Sequence, residues 1–237
     1  MGSSNAVATM LGLERALKQE LAPEDRLRLA GEVGSDLPLF LVGGTVLGLG
    51  RGEQVFPLQD LPPLDLVIVT PALGVSTPQA FKDWDEQFGT DTAGESKGKL
   101  TSDDSSDRIK RFGQAVFTWL MGSSRLQATA ASGVPVETGG NRAETPLLDL
   151  VRAGIENDFE RVVFSKYPEL REVKRVLERE GARYASLSGS GSTLYGLFES
   201  SPEAEQAADR MRAAGMAAQA TRSLPRTEYW RQVFENV

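Results

Sequence analysis

Two short apolar runs, Arg183–Ser188 and Ser192–Phe198, are separated by only Gly189-Ser190-Gly191. Gly-Ser-Gly supplies the positive-φ conformations of a tight hairpin turn, so the two runs read as adjacent strands of one antiparallel hairpin. Everything downstream of Leu64 has to be arranged around that hairpin. Leu64–Thr70 (LDLVIVT) is a buried strand by composition. Ser76-Thr77-Pro78 caps a helix that runs through Phe81 and Trp84. Helices are expected over 107–121, 147–167 with a break near Gly154, and 168–180, where Leu170, Val173, Val176 and Leu177 are spaced for a core and Gly181 ends the run. A helix capped by Ser201-Pro202 ends at Gly215, and 216–221 supplies a last strand. The result is an α+β plan, an antiparallel sheet of about four strands with helices on one face. The stretches 89–106 and 122–145 are rich in Gly, Ser, Thr and polar residues and read as surface loops.

The front of the chain has a different texture. Gly2-Ser3-Ser4-Asn5 passes straight into a helical pattern with Val7, Met10, Leu11, Leu17 and Leu21 on one face. Pro23-Glu24-Asp25 opens a second helix that reaches Gly34, with proline at the first position and acids in the first turn. Gly34 suits a left-handed position past the helix end. Pro38 is expected to commit Leu39–Val42 to an extended run, with Gly43-Gly44 as a turn, followed by strands over 45–49 and 54–58. Gly48-Leu49-Gly50-Arg51-Gly52 imitates part of a dinucleotide fingerprint but lacks its spacing, so it reads as a strand end and turn. Leu61-Pro62-Pro63 marks a boundary, giving domains 1–60 and 61–237.

The chain has no Cys and no His. That removes cysteine nucleophiles, disulfides, Ser-His-Asp chemistry and the usual zinc ligands. Catalysis would have to run on carboxylates, hydroxyls, Lys, Arg, backbone dipoles or a hard cation such as Mg²⁺. A net charge of −7 argues against a general nucleic-acid or membrane-surface binder, and no apolar run approaches a membrane span, so a cytoplasmic protein is expected.

Three stretches can carry chemistry. Asp36, in Gly34-Ser35-Asp36-Leu37-Pro38, is expected at a helix-to-strand junction, where it can be aimed as a base, or it merely closes a turn on its own backbone. Gly2, Ser3 and Ser4 open a helix whose free N–H groups suit a phosphate, or they are an ordinary helix start. Gly189, Ser190, Gly191 and Ser192 let backbone N–H and hydroxyl groups approach a phosphate, though a hairpin turn alone accounts for them.

Taken in order, Gly2-Ser3-Ser4-Asn5-Ala6, Gly34–Phe40 and Ser188–Thr193 resemble the motifs of the GHMP small-molecule kinases. Gly43-Gly44, Gly74-Val75-Ser76-Thr77-Pro78 and Asn157-Asp158-Phe159-Glu160 extend the likeness to the sugar-alcohol kinases of the bacterial and plastid isoprenoid pathway. The resemblance implies the two-domain GHMP fold, here with an incomplete ribosomal-protein-S5-like first domain. It implies ATP-dependent phosphorylation of the 2-hydroxyl of 4-diphosphocytidyl-2-C-methyl-D-erythritol, with ATP and Mg²⁺ as cofactors and a monomer or homodimer as the working form. Asp36 corresponds to the catalytic base, Gly2, Ser3 and Ser4 to the end of the ATP phosphate loop with Ser4 near the metal, and Gly189–Ser192 to the nucleotide side of the cleft. The family's lysine-bearing strand has no counterpart, so the chain alone is expected to be a poor kinase. The alternatives are a non-catalytic nucleotide-binding remnant or another GHMP kinase of the homoserine or mevalonate type.

Overall fold

A computed structural model describes residues 2–88 and 157–235. The expected helix over 107–121, the loops 89–106 and 122–145 and the stretch 147–156 lie outside the described residues. Two compact units form: Met1–Leu64 together with Arg222–Val237, and Asp65–Thr221. The sequence places a boundary after residue 60 and leaves 222–237 with the second domain; the structure divides at Leu64 and returns the tail to the first unit.

The second unit is organised on β5 (Leu194–Phe198), which pairs antiparallel with β4 (Tyr184–Leu187) on one side and β3 (Asp65–Val69) on the other. β6 (Ala218–Arg222) completes the sheet in the order β4-β5-β3-β6. The alternation of β5 sends Leu194, Gly196 and Phe198 into the core, where Val67, Val69, Ala185 and Leu187 meet them. α6 (Pro168–Arg179) lays fully buried Leu170 and Leu177 on this layer. α7 (Ser201–Ala213) presents Ala204, Ala207 and Ala208, small side chains that let a helix approach a sheet closely. α4 (Thr77–Phe88) and α5 (Phe159–Lys166) join the same core through Ala80, Val162, Val163 and Phe164. This is the α+β plan with a four-stranded antiparallel sheet that the pattern from Leu64 onward predicts.

The first unit is mostly helical: α1 (Gly2–Leu17), α2 (Pro23–Val33) and α3 (Leu37–Val42), then the hairpin β1 (Val46–Leu49) and β2 (Gln54–Pro57), and finally α8 (Arg226–Glu235). Its core is small, Val7, Ala30 and Leu37 with Ala6, Leu11, Phe40 and Leu41 around them. Glu14, 9% exposed, ties α1 to α2 by accepting Arg26 Nε at 3.1 Å, Arg26 Nη2 at 2.8 Å and the Leu21 N–H at 3.2 Å.

Two expectations for this unit are corrected. Leu39–Val42 is helical, because Pro38 falls in the first turn of α3, where its missing N–H is no loss, and Leu37 and Pro38 are buried. Gly34 is extended (φ −178°, ψ 144°), not left-handed. A Cβ there would stand 3.0 Å from Leu37 Cδ1, so that buried side chain would have to give way. α8 has no counterpart in the sequence reading.

Candidate functional site

Asp36 stands at the head of α3. The turn Gly34–Leu37 closes with the Leu37 N–H donating to Gly34 O at 3.1 Å, and Asp36 takes φ −85°, ψ −14° within it. Leu37, the next residue, is pinned between α1 and α2 by Val7 and Ala30. The backbone of Asp36 is therefore fixed on both sides while its side chain is exposed. That carboxylate makes no capping bond to α3, so its oxygens are not spent on closing the turn.

Gly2, Ser3 and Ser4 are the first residues of α1, a 16-residue helix with no acid in its first turn. Gly2 and Ser4 are exposed, and nothing lies within 4 Å of where a Cβ on Gly2 would sit. The free N–H groups and hydroxyls of that turn form a neutral-to-positive donor set. Val7, one turn on, belongs to the cluster that also holds Leu37, so one small core supports both the Ser3-Ser4 turn and Asp36.

Gly189–Ser192 is the turn between β4 and β5, in the second unit. Gly189 and Gly191 take φ of 57° and 95°, the left-handed region that favours glycine. The Ser188 N–H donates to Thr193 O at 2.8 Å and the Gly191 N–H to Ser188 O at 3.1 Å. Two residues outside the predicted set hold this loop. Asn157 Nδ2 donates to Leu187 O at 2.8 Å and to Gly189 O at 2.7 Å, while its Oδ1 accepts the Phe159 N–H at 3.0 Å. Thr77, at the start of α4, shares a 2.9 Å hydroxyl contact with Ser190 Oγ. Below the loop, Glu160 Oε1 accepts Ser186 Oγ at 2.8 Å and the Leu187 N–H at 2.9 Å, and Oε2 meets Lys174 Nζ at 2.6 Å. Asn157 and Glu160 belong to a run that the sequence comparison singles out, but no spacing rule assigns them to the loop.

An antiparallel α+β sheet with a glycine loop on its β4–β5 hairpin, preceded by a helix-opening Gly-Ser-Ser and a separate aspartate, is the pattern in which the chain is similar to the GHMP kinases. The family model described as GHMP kinases C terminal matches residues 143–216. Among curated proteins, the 4-diphosphocytidyl-2-C-methyl-D-erythritol kinase of Solibacter usitatus is 37% identical over 198 residues, which are 83% of this chain and 50% of that protein. The enzyme of the same name from Moorella thermoacetica is 31% identical over 210 residues, 89% of this chain and 60% of that protein. A crystal structure of 4-(cytidine 5'-diphospho)-2C-methyl-D-erythritol kinase superposes with a TM-score of 0.59 at 28% identity, covering 93% of this chain and 64% of that one. Homoserine kinase from Cytophaga hutchinsonii, at a TM-score of 0.55 and 18% identity, shares the fold. The chain thus spans half to three-fifths of the length of these curated relatives.

Proposed function

We propose that this chain carries the catalytic aspartate and part of the nucleotide site of an ATP-dependent kinase acting on the 2-hydroxyl of 4-diphosphocytidyl-2-C-methyl-D-erythritol. The observation that carries the reading is Asp36: an exposed carboxylate, fixed at the backbone and making no capping bond, at the position where the resemblance would put the base. A carboxylate so placed orients the acceptor hydroxyl and takes its proton as the bond to phosphorus forms. Phosphoryl transfer asks little covalent chemistry of the protein, so positioning and charge neutralisation supply most of the acceleration.

The residues fit the nucleotide. Gly2, Ser3 and Ser4 offer N–H and hydroxyl donors to phosphate oxygens, and Gly189–Ser192 offer a loop that backbone can approach closely. They also fit a hard cation: no group of three acidic or His residues occurs among the described residues, so Mg²⁺ would sit on phosphate oxygens and water with one hydroxyl, Ser4. When bound, it would neutralise charge on the phosphates. No helix among the described residues is long and apolar enough to cross a membrane.

The test is ADP release with the diphosphocytidyl acceptor, comparing the chain with Asp36→Asn. The variant should lose about 10²–10⁴-fold in kcat while Mg-ATP binds within about twofold of the original affinity. Equal turnover by the variant, or faster ADP release with homoserine or mevalonate as acceptor, would sink the assignment. Mg-ATP binding with no acceptor ever phosphorylated would instead support the non-catalytic nucleotide-binding reading.

A further inference from the structure

We propose that α8 completes the positioning of Asp36, which the Val7–Ala30–Leu37 core holds from the near end of α3, through Arg226, Tyr229 and Trp230 acting on the opposite end; this rests on Asp36 being the base. α3 is six residues long, about 9 Å, and a helix that short does not hold its own geometry. Its last carbonyls have no partner within the helix and must be met from outside.

α8 meets them. Tyr229 Oη donates to Phe40 O at 2.8 Å, Trp230 Nε1 to Val42 O at 3.1 Å, and Arg226 Nε to Gly43 O at 3.1 Å. Arg226 Nη2 reaches on to Thr45 O at 2.9 Å. Asp60 fixes the first turn of α8 against the same segment, accepting the Arg226 N–H at 2.7 Å and the Thr45 N–H at 2.8 Å. None of the described side chains of α8 is fully buried. The helix is attached by these donors more than by apolar packing. Burial pushes the Tyr229 hydroxyl pKa up, which keeps it a donor.

Gly43 and Gly44 make the approach possible. Both have positive φ, 66° and 64°. A Cβ on Gly43 would stand 2.5 Å from Tyr229 Cδ1, and one on Gly44 2.9 Å from the Arg226 backbone nitrogen. The glycine pair therefore has a second purpose besides turning the chain: it lets α8 close on the carboxyl end of α3. With so few turns between them, a tilt at Gly43 is carried to Asp36, and an error of about 1 Å at a base costs about 10²-fold in rate.

The experiment uses Tyr229→Phe combined with Trp230→Phe, which removes two donors and keeps the rings. Turnover and amide exchange at Gly43, whose N–H donates to Leu39 O at 2.8 Å, are both measured. The expected result is kcat lower by about 10–100-fold with KM for Mg-ATP within about twofold, and Gly43 exchange at least about tenfold faster. Arg231→Gln, on the exposed side of α8, should change neither. Accelerated exchange with unchanged kcat, or unchanged exchange, would overturn the proposal. If Asp36→Asn itself leaves turnover intact, the base reading fails, and Gly43 exchange alone decides whether α8 holds α3.

Discussion

Asn157 donates its side-chain amide to the Gly189 carbonyl at 2.7 Å, so the first residue of the glycine loop is held by a side chain that lies 32 residues earlier in the chain, just ahead of α5. The same amide holds Leu187 O, and Asn157 Oδ1 is itself fixed by the Phe159 N–H. One side chain thus joins the start of α5 to both sides of the turn's entry. Its bonds set which way the Leu187 and Gly189 carbonyls point.

Asn157→Ala should act on the nucleotide rather than on the chemical step. Two carbonyls lose their donor, at a cost of about 1–3 kcal/mol if they stay dry. KM for Mg-ATP is expected to rise about tenfold while kcat changes little, because Asp36 belongs to the other unit. Steady-state kinetics across a range of Mg-ATP concentrations reads this. A fall in kcat at constant KM would assign Asn157 a different role.

The Glu14–Arg26 pair predicts a specific acid response. The Arg26 hydrogen bonds hold the Glu14 carboxyl below its usual 4.5, ahead of a smaller opposing effect of burial. A depressed carboxyl pKa adds stability that is present above the unfolded value and is lost as pH falls through the folded one. Glu14→Gln should therefore destabilise the first unit by about 1–3 kcal/mol at pH 7. The difference from the unmodified chain should shrink below pH 4.5. Urea denaturation at pH 7 and at low pH checks it, and a constant difference across that range would refute it.

Gly196 tests the sheet. It lies in the middle of β5, where a Cβ would stand 2.9 Å from Ala182 Cβ and 3.1 Å from Leu177 Cδ2. Gly196→Ala over-packs that contact and should cost about 1–3 kcal/mol. Pairing it with Leu177→Val should recover part of the loss if the clash is with that side chain. Additive losses in thermal denaturation would place the strain elsewhere.

The second unit was legible because its pattern and its packing agree. Leu64–Thr70 is apolar because β3 is central in the sheet, and Leu170, Val173 and Leu177 recur at helical spacing because α6 covers that sheet. The first unit was harder for a physical reason. Pro38 ends a helix when it falls inside one and opens a helix when it falls in the first turn; what decides here is the burial of Leu37 against Val7 and Ala30, a tertiary fact. α8 has start signals in Pro225 and Glu228 and an apolar face in Tyr229, Trp230, Val233 and Phe234, but its attachment through donors to backbone carbonyls has no signature in spacing. Asp36 and the glycine loop were readable as residue types in order. Asn157 as the loop's anchor was not, since a hydrogen bond across the fold has no signature in spacing.

Residues 1–64 share one unit with 222–237, a segment translated only after Asp65–Thr221. During synthesis on a ribosome, Asp65–Thr221 is made in full before Arg226, Tyr229 and Trp230 exist. Until those residues emerge, the carbonyls of Phe40, Val42 and Gly43 have only water to bond. The helix that Asp36 heads is therefore translated well before the segment that completes it. A nascent chain stalled before Arg226 would carry the aspartate without the frame that aims it.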